Sequence, residues 1–359
     1  MSVRTVDYSA LTEPVSPTGV KAFRTAMRAR PEYSTTSPVV AAIIVVVMLF
    51  ALGTFVLSIL TIFIALVATS SSDIGVIILG FVIAALMVAG IVVIAIVGIR
   101  SVLGGGRWER WMRLDRFASA NGLIFAPHSA APSYPGAIFQ LGSSRFAIDH
   151  LRSASDRFLD YGNFRYTTGS GKNRSTHTWG FMALQLDRAL PQMVLDSKTN
   201  NGLFGSNLPA TFRKDQILHL EGDFDKYFTL YCPNQYERDA LYVFTPDLMV
   251  LLIDNAAPFD VEIVDKWMFV YSSAAFDLRQ PAVHQRLLRI VDTVGRKALS
   301  QSDRYRDDRV DDFAANVIAP QGQGLKRGIP AVGIILLVIL GVTWLWPALG
   351  GIVSVLVGN

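Results

Sequence analysis

The chain has 359 residues and a formal net charge of +4; 51% of its residues are hydrophobic, only 17% are charged, and its mean hydropathy is +0.36. Soluble domains carry nearer 25% charged residues, so this composition argues against a purely soluble protein, and it excludes disorder and a fibrous repeat. A single cysteine excludes a disulfide framework and any all-cysteine metal site.

In chain order, residues 1–38 are rich in Ser, Thr and Pro and read as a cytoplasmic, largely disordered basic tail of net charge +2. Within it, Val20, Phe23, Ala26 and Met27 share one face of a helical wheel, with Lys21, Arg24 and Arg28 beside it. That pattern suits a short interfacial helix as well as a solvated basic linker. Residues 39–68 and 74–99 then carry no charge. As helices they would reach about 45 Å and 39 Å at roughly 1.5 Å per residue, against a bilayer core of about 30 Å. Together, 39–99 reads as a transmembrane hairpin whose loop, Thr69 to Asp73, offers Ser72 or Asp73 as an N-cap. A third uncharged run follows Lys326 and Arg327, and residues 329–357 read as a third span, with Pro347 a kink and Trp344 and Trp346 at an interface. Arginines flank both ends of the hairpin, and the hairpin loop carries Asp73 alone. The positive-inside rule then places the N-terminus and the segment 100–327 in the cytoplasm and the C-terminus outside a multi-pass plasma-membrane protein.

The segment 100–300 predicts an α+β cytoplasmic domain with a mostly antiparallel sheet, attached to three transmembrane α-helices. A helix over 107–121 ends at Asn121-Gly122. Strands are expected at 137–141, 145–151, 157–168, 177–186, 192–196 and 227–231, with a hairpin tip at Gly169–Arg174. Helices are expected at 235–244 and 245–255, the second opened by Thr245-Pro246. A strand pair, 261–264 and 267–271, precedes a final helix over 281–299 with an apolar stripe of Val283, Leu287, Ile290, Val291, Val294 and Ala298. Strands first and helices later argue for α+β. Residues 301–328 read as a linker.

The stretch Phe224 to Tyr231, then Glu237–Ala240, Phe244–Met249 and Val261 to Tyr271, resembles a bacterial family of domains of unknown function. The Tyr166 to Asp187 hairpin is similar to those of uncharacterised bacterial multi-span membrane proteins. The resemblance spans about a third of the segment 100–327 and implies no catalytic residue.

Chemistry is sparse. Gly169–Lys172 fails as a phosphate loop, because Tyr166 stands where the first glycine belongs, Asn173 follows the lysine, and a strand follows where a helix is needed. The five histidines lack H-x-x-x-H spacing, and Asp149-His150, on a regular strand, would point to opposite faces. No ionisable residue interrupts the apolar runs, which argues against a transporter or channel. Neither a catalytic residue, nor a cofactor site, nor a metal site is assigned. Candidate membrane-surface contacts are Arg24, Arg28, Arg107, Trp108, Arg110, Lys326 and Arg327; a candidate partner loop holds Lys172, Arg174 and His177; Cys232 is a candidate thiol. The expected partners are the lipid bilayer, another membrane or cytoplasmic protein, or a second copy of the chain, and not nucleic acid. The expected function is an integral membrane protein, leaning non-enzymatic, whose cytoplasmic domain binds a partner or ligand close to the bilayer. Two alternatives are a membrane-tethered hydrolase or thiol enzyme and an envelope structural protein.

Overall fold

A computed structural model describes residues 5–33, 38–69, 75, 78, 81–82, 85–93, 96, 106–155, 157–201, 206, 208, 211–310 and 316–327. The chain divides into two compact units, one of residues 1–13 and 114–359, the other of residues 14–113.

The larger unit is built on a seven-stranded antiparallel sheet: β1 (Leu123–Ala130), β2 (Ser143–Ser153), β3 (Leu159–Thr168), β4 (Ser175–Ser197), β5 (Ile217–Leu218), β6 (Phe228–Tyr231) and β7 (Asp260–Ser272). Its order is β1-β2-β3-β4-β6-β5, and β7 lies along β4. β1 holds Pro127, which a central strand does not tolerate and an edge strand does. That proline hides β1 from its sequence. β4 is one strand where two are expected: it absorbs Pro191 through register breaks between Gln185 and Met193. β7 likewise runs through the expected turn at Asp265, which takes a left-handed φ of 52° opposite Leu190. Residues 137–140 form a 3-10 turn, closed by Phe139 N–H on Gly136 O, in place of the expected strand.

One face of the sheet is covered by the 131–141 segment, and the core there is aromatic: Tyr134, Phe139, Phe164, Phe181, Phe269 and Tyr271 are all buried. Each such ring contributes about 1.5–3 kcal/mol of apolar burial. Glu262 ties the covering segment to the sheet. Its carboxylate accepts Ala137 N–H at 2.8 Å, Tyr271 O–H at 2.8 Å and Gln192 Nε2–H at 2.7 Å.

α3 (Arg107–Ala120) precedes β1, α4 (Glu237–Val243) and α5 (Pro246–Ala256) follow β6, and α6 (Pro281–Ile290) continues through a π turn, Val291–Gly295, into α7 (Arg296–Ser302). The expected stripe packs inward, with Leu287, Ile290, Val294 and Ala298 almost fully buried. Residues after α7 are anchored: Tyr305 O–H donates to Asp239 at 2.7 Å, Tyr236 O–H donates to Asp307 at 2.7 Å, and Arg309 lies 3.9 Å from the Tyr236 ring centre.

In the smaller unit, α1 (Pro17–Met27) is capped by Ser16, whose hydroxyl accepts Gly19 N–H at 3.1 Å. Phe23, Tyr33, Trp108 and Trp111 form a ring cluster at centroid distances of 5.1–6.4 Å. α2 (Pro38–Thr69) is a 32-residue helix that matches the first uncharged run.

The membrane architecture is corrected. Among the described residues, no helix is long and apolar enough to cross a membrane. Of 74–99, the longest described helical stretch is 85–93, and the third run, 329–357, lies outside the described residues, as do Ser72 and Asp73. The three-span fold, the multi-pass plasma-membrane placement and the integral-membrane function therefore do not stand. An uncharged run reports composition along the chain, and composition alone does not make a membrane-crossing segment.

Candidate functional site

The sequence-predicted site residues fall into separate places. In the smaller unit, Arg24 lies 5.9 Å from the Trp108 ring centre and Arg107 lies 5.9 Å from that of Trp111. Trp108 is itself buried, Arg110 is half-buried and Arg28 is exposed. In the larger unit, Lys172 and Arg174 stand exposed at the β3–β4 tip, while His177 bonds Thr168 Oγ1 at 2.8 Å and stacks on Tyr166. Gln216 exchanges two hydrogen bonds with the Lys326 backbone, both at 2.8 Å, and Arg327 bridges to Phe212. Cys232 is buried. Desolvation, with Glu237 and Asp239 adding repulsion, pushes its thiol up to about 12, so it is not a thiolate at neutral pH.

Four other residues converge. Ser129 on β1, His150 on β2 and Asp160 on β3 form a line across three adjacent strands. Ser129 Oγ lies 2.7 Å from His150 Nε2, His150 Nδ1 lies 2.8 Å from Asp160 Oδ1, and Tyr134 O–H donates to Asp160 Oδ2 at 2.7 Å. His150 and Asp160 are buried and Ser129 is half-buried. The partners assign the protons. A carboxylate that accepts from Tyr134 also accepts Nδ1–H, which leaves the neutral ring's Nε2 bare to accept the Ser129 hydroxyl. A serine held on an imidazole that is oriented by a buried carboxylate is the arrangement that turns a hydroxyl into a nucleophile.

A β-bulge builds this line. Ala147 pairs with Phe164 and Ile148 with Asn163, but Leu151 pairs with Tyr161, so β2 holds one extra residue at Asp149-His150. Asp149 takes a φ of 47°, a left-handed conformation that non-glycine residues rarely adopt. The slip brings His150 to the face of Ala147, Phe164 and Asp160, where strict alternation would place it on the other. Gly162 makes room: a Cβ there would lie 2.4 Å from His150 Cβ and 2.5 Å from its Cα. The bulge is set by pairing across strands, so alternation along β2 does not predict the face that His150 takes. No sequence signal pointed to the bulge.

A second histidine is buried without such a partner. His284 Nε2–H donates to Leu278 O at 2.7 Å and Nδ1 accepts Tyr161 O–H at 3.0 Å. Burial holds its imidazolium form below the usual range, which fits a neutral structural ring.

At the other end of β4, Asp196 and Asp260 are both buried. Asp260 Oδ1 accepts Ser197 N–H at 2.9 Å. Desolvation, with Asp196 adding repulsion, pushes Asp260 up to about 7, and desolvation pushes Asp196 up to about 6. A carboxyl whose folded value exceeds its unfolded one binds extra protons in the native state, so stability falls as pH rises between the two values. From Asp260 alone that loss, spread over pH 4 to 7, is on the order of 4 kcal/mol. Asp260→Asn is expected to be more stable than the parent at pH 8 and close to it at pH 4, read by chemical denaturation. An equal difference at both pH values would refute the assignment.

No protein-family model matches the chain, and no curated protein matches it. The crystal structure of the mycobacterial trehalose monomycolate transport factor A, TtfA, is similar at 12% identity and a TM-score of 0.34, over 52% of this chain and 94% of that one. A likeness at that level carries no argument about fold or function.

Proposed function

We propose that the larger unit is a serine-nucleophile enzyme of the acyl-transfer or ester-hydrolysis class, in which Ser129 attacks, His150 takes and returns its proton, and Asp160 orients and stabilises the His150 ring. The observation that carries this reading is the unbroken Ser129–His150–Asp160 line at 2.7 and 2.8 Å. Three further features support it. A buried carboxylate costs stability unless its lone pairs are met, and Asp160 spans both oxygens between His150 and Tyr134. The left-handed Asp149 is strain of the kind that clusters at working sites. β1 is an edge strand, so alternate backbone N–H groups beside Ser129 point away from the sheet.

The test is covalent labelling of the purified protein with a fluorophosphonate probe, with the modified residue located by peptide mass spectrometry. Ser129 is expected to take the label, Ser129→Ala to lose it, and His150→Ala to slow it by about 10³-fold or more. A folded parent protein that leaves Ser129 unlabelled between pH 6 and 9 overturns the reading.

A further inference from the structure

We propose that Tyr134 is a positioning residue for this line: by donating to Asp160 Oδ2 it moderates the negative charge that His150 feels and so sets the pH at which Ser129 becomes activated. The inference rests on the reading of Ser129 as the nucleophile.

Tyr134 belongs to none of the three strands. It sits on the segment that covers the sheet, and its ring is wedged among Phe139, Trp267, Phe269 and Phe158 at 4.9–6.2 Å between centroids. Its carbonyl accepts Gln140 Nε2–H at 2.8 Å. The hydroxyl is thus placed by the aromatic core, independently of the strands that carry the other three groups. Burial and the Asp160 carboxylate hold the phenol well above its ordinary range, so it is a neutral donor at every working pH. Arg152 on β2 is the cation that acts on Tyr134, and it acts in the opposite sense to Asp160.

Asp160 has two oxygens to distribute, one to Tyr134 and one to His150. A donor on Oδ2 draws charge away from the bond to Nδ1–H. Without it, the whole carboxylate charge faces the ring, the imidazolium is stabilised, and the neutral form that accepts the Ser129 proton appears only at higher pH. A merely structural tyrosine would change stability and leave that pH dependence in place.

Two measurements on the full chain test this. In Tyr134→Phe, the midpoint of fluorophosphonate labelling against pH is expected to rise by about one unit, a tenfold change in the protonation equilibrium. The His150 ring ¹⁵N signals are expected to titrate later to match. Incorporation of 3-fluorotyrosine at position 134 keeps the shape and makes a stronger donor, and the same two midpoints are expected to move to lower pH. This second variant preserves the test if the phenylalanine variant does not fold. Unmoved ¹⁵N midpoints in the folded variants overturn the proposal. If Ser129 takes no label in any protein, the nucleophile reading fails, while the ¹⁵N signals still decide whether Tyr134 tunes His150.

Discussion

Glu262→Ala is expected to destabilise the sheet unit by about 3–5 kcal/mol and to lower its melting temperature by roughly 10 °C. Glu262 is buried and its two oxygens accept three donors: the Ala137 backbone, the Tyr271 hydroxyl and the Gln192 amide. Burial raises its carboxyl above the usual range, and the three hydrogen bonds act in the opposite direction. Truncation leaves these donors without an acceptor, each at about 1–3 kcal/mol where water cannot reach, and opens a cavity beside the aromatic core. The consequence extends to the site. Ala137 belongs to the segment that carries Tyr134, so loosening it withdraws the hydroxyl from Asp160. Glu262→Gln keeps the volume and one acceptor oxygen and should lose less. Thermal denaturation followed by circular dichroism checks both, and a drop below about 1 kcal/mol for the alanine variant would show that Glu262 is dispensable to the fold.

The effect of Gly162→Ala falls on the site itself. The new methyl would sit 2.4 Å from His150 Cβ, 2.5 Å from His150 Cα and 2.9 Å from Asp149 O. Two of those three atoms are backbone, so no rotamer change relieves the contact and β2 must move away from β3. Overpacking of this kind costs about 1–3 kcal/mol. The displacement breaks the 2.8 Å bond between His150 and Asp160, and Ser129 labelling should disappear even in protein that remains folded. Gly171→Ala is the control. It lies at the exposed β3–β4 tip with a φ of 54° and open space around it, so it should lose about 1–2 kcal/mol through backbone strain alone and still label normally. Retained labelling in Gly162→Ala would show that the bulge does not hold His150 in place.

Much of the sheet unit is legible along the chain because each signal there is local. Gly122 stops α3 with a φ of 69°, Thr245-Pro246 opens α5, and the 3.6-residue stripe from Leu287 to Ala298 becomes the buried side of α6 and α7. The misreadings share one cause. Pro127, Pro191 and Asp265 each look like an end of a strand in isolation, and each is carried through a strand because a neighbouring strand supplies the hydrogen bonds around an edge position or a bulge.

The line of Ser129, His150, Asp160 and Tyr134 was not legible, because its members are 5 to 31 positions apart and no periodicity links them. Period-2 alternation even separates His150 from the face it occupies. The uncharged runs mislead in the opposite way. They register composition along the chain, and among the described residues no helix is long and apolar enough to cross a membrane.

The sequence by itself determined the α+β composition of the larger unit, the positions of its helix ends and the absence of any disulfide, because propensity, capping and cysteine count act within a few residues. Only the tertiary structure decided which buried polar groups meet. A one-residue slip between β2 and β3 and a tyrosine held by the aromatic core bring a serine, a histidine and an aspartate into contact, and contacts between strands obey register and packing, which no local pattern encodes.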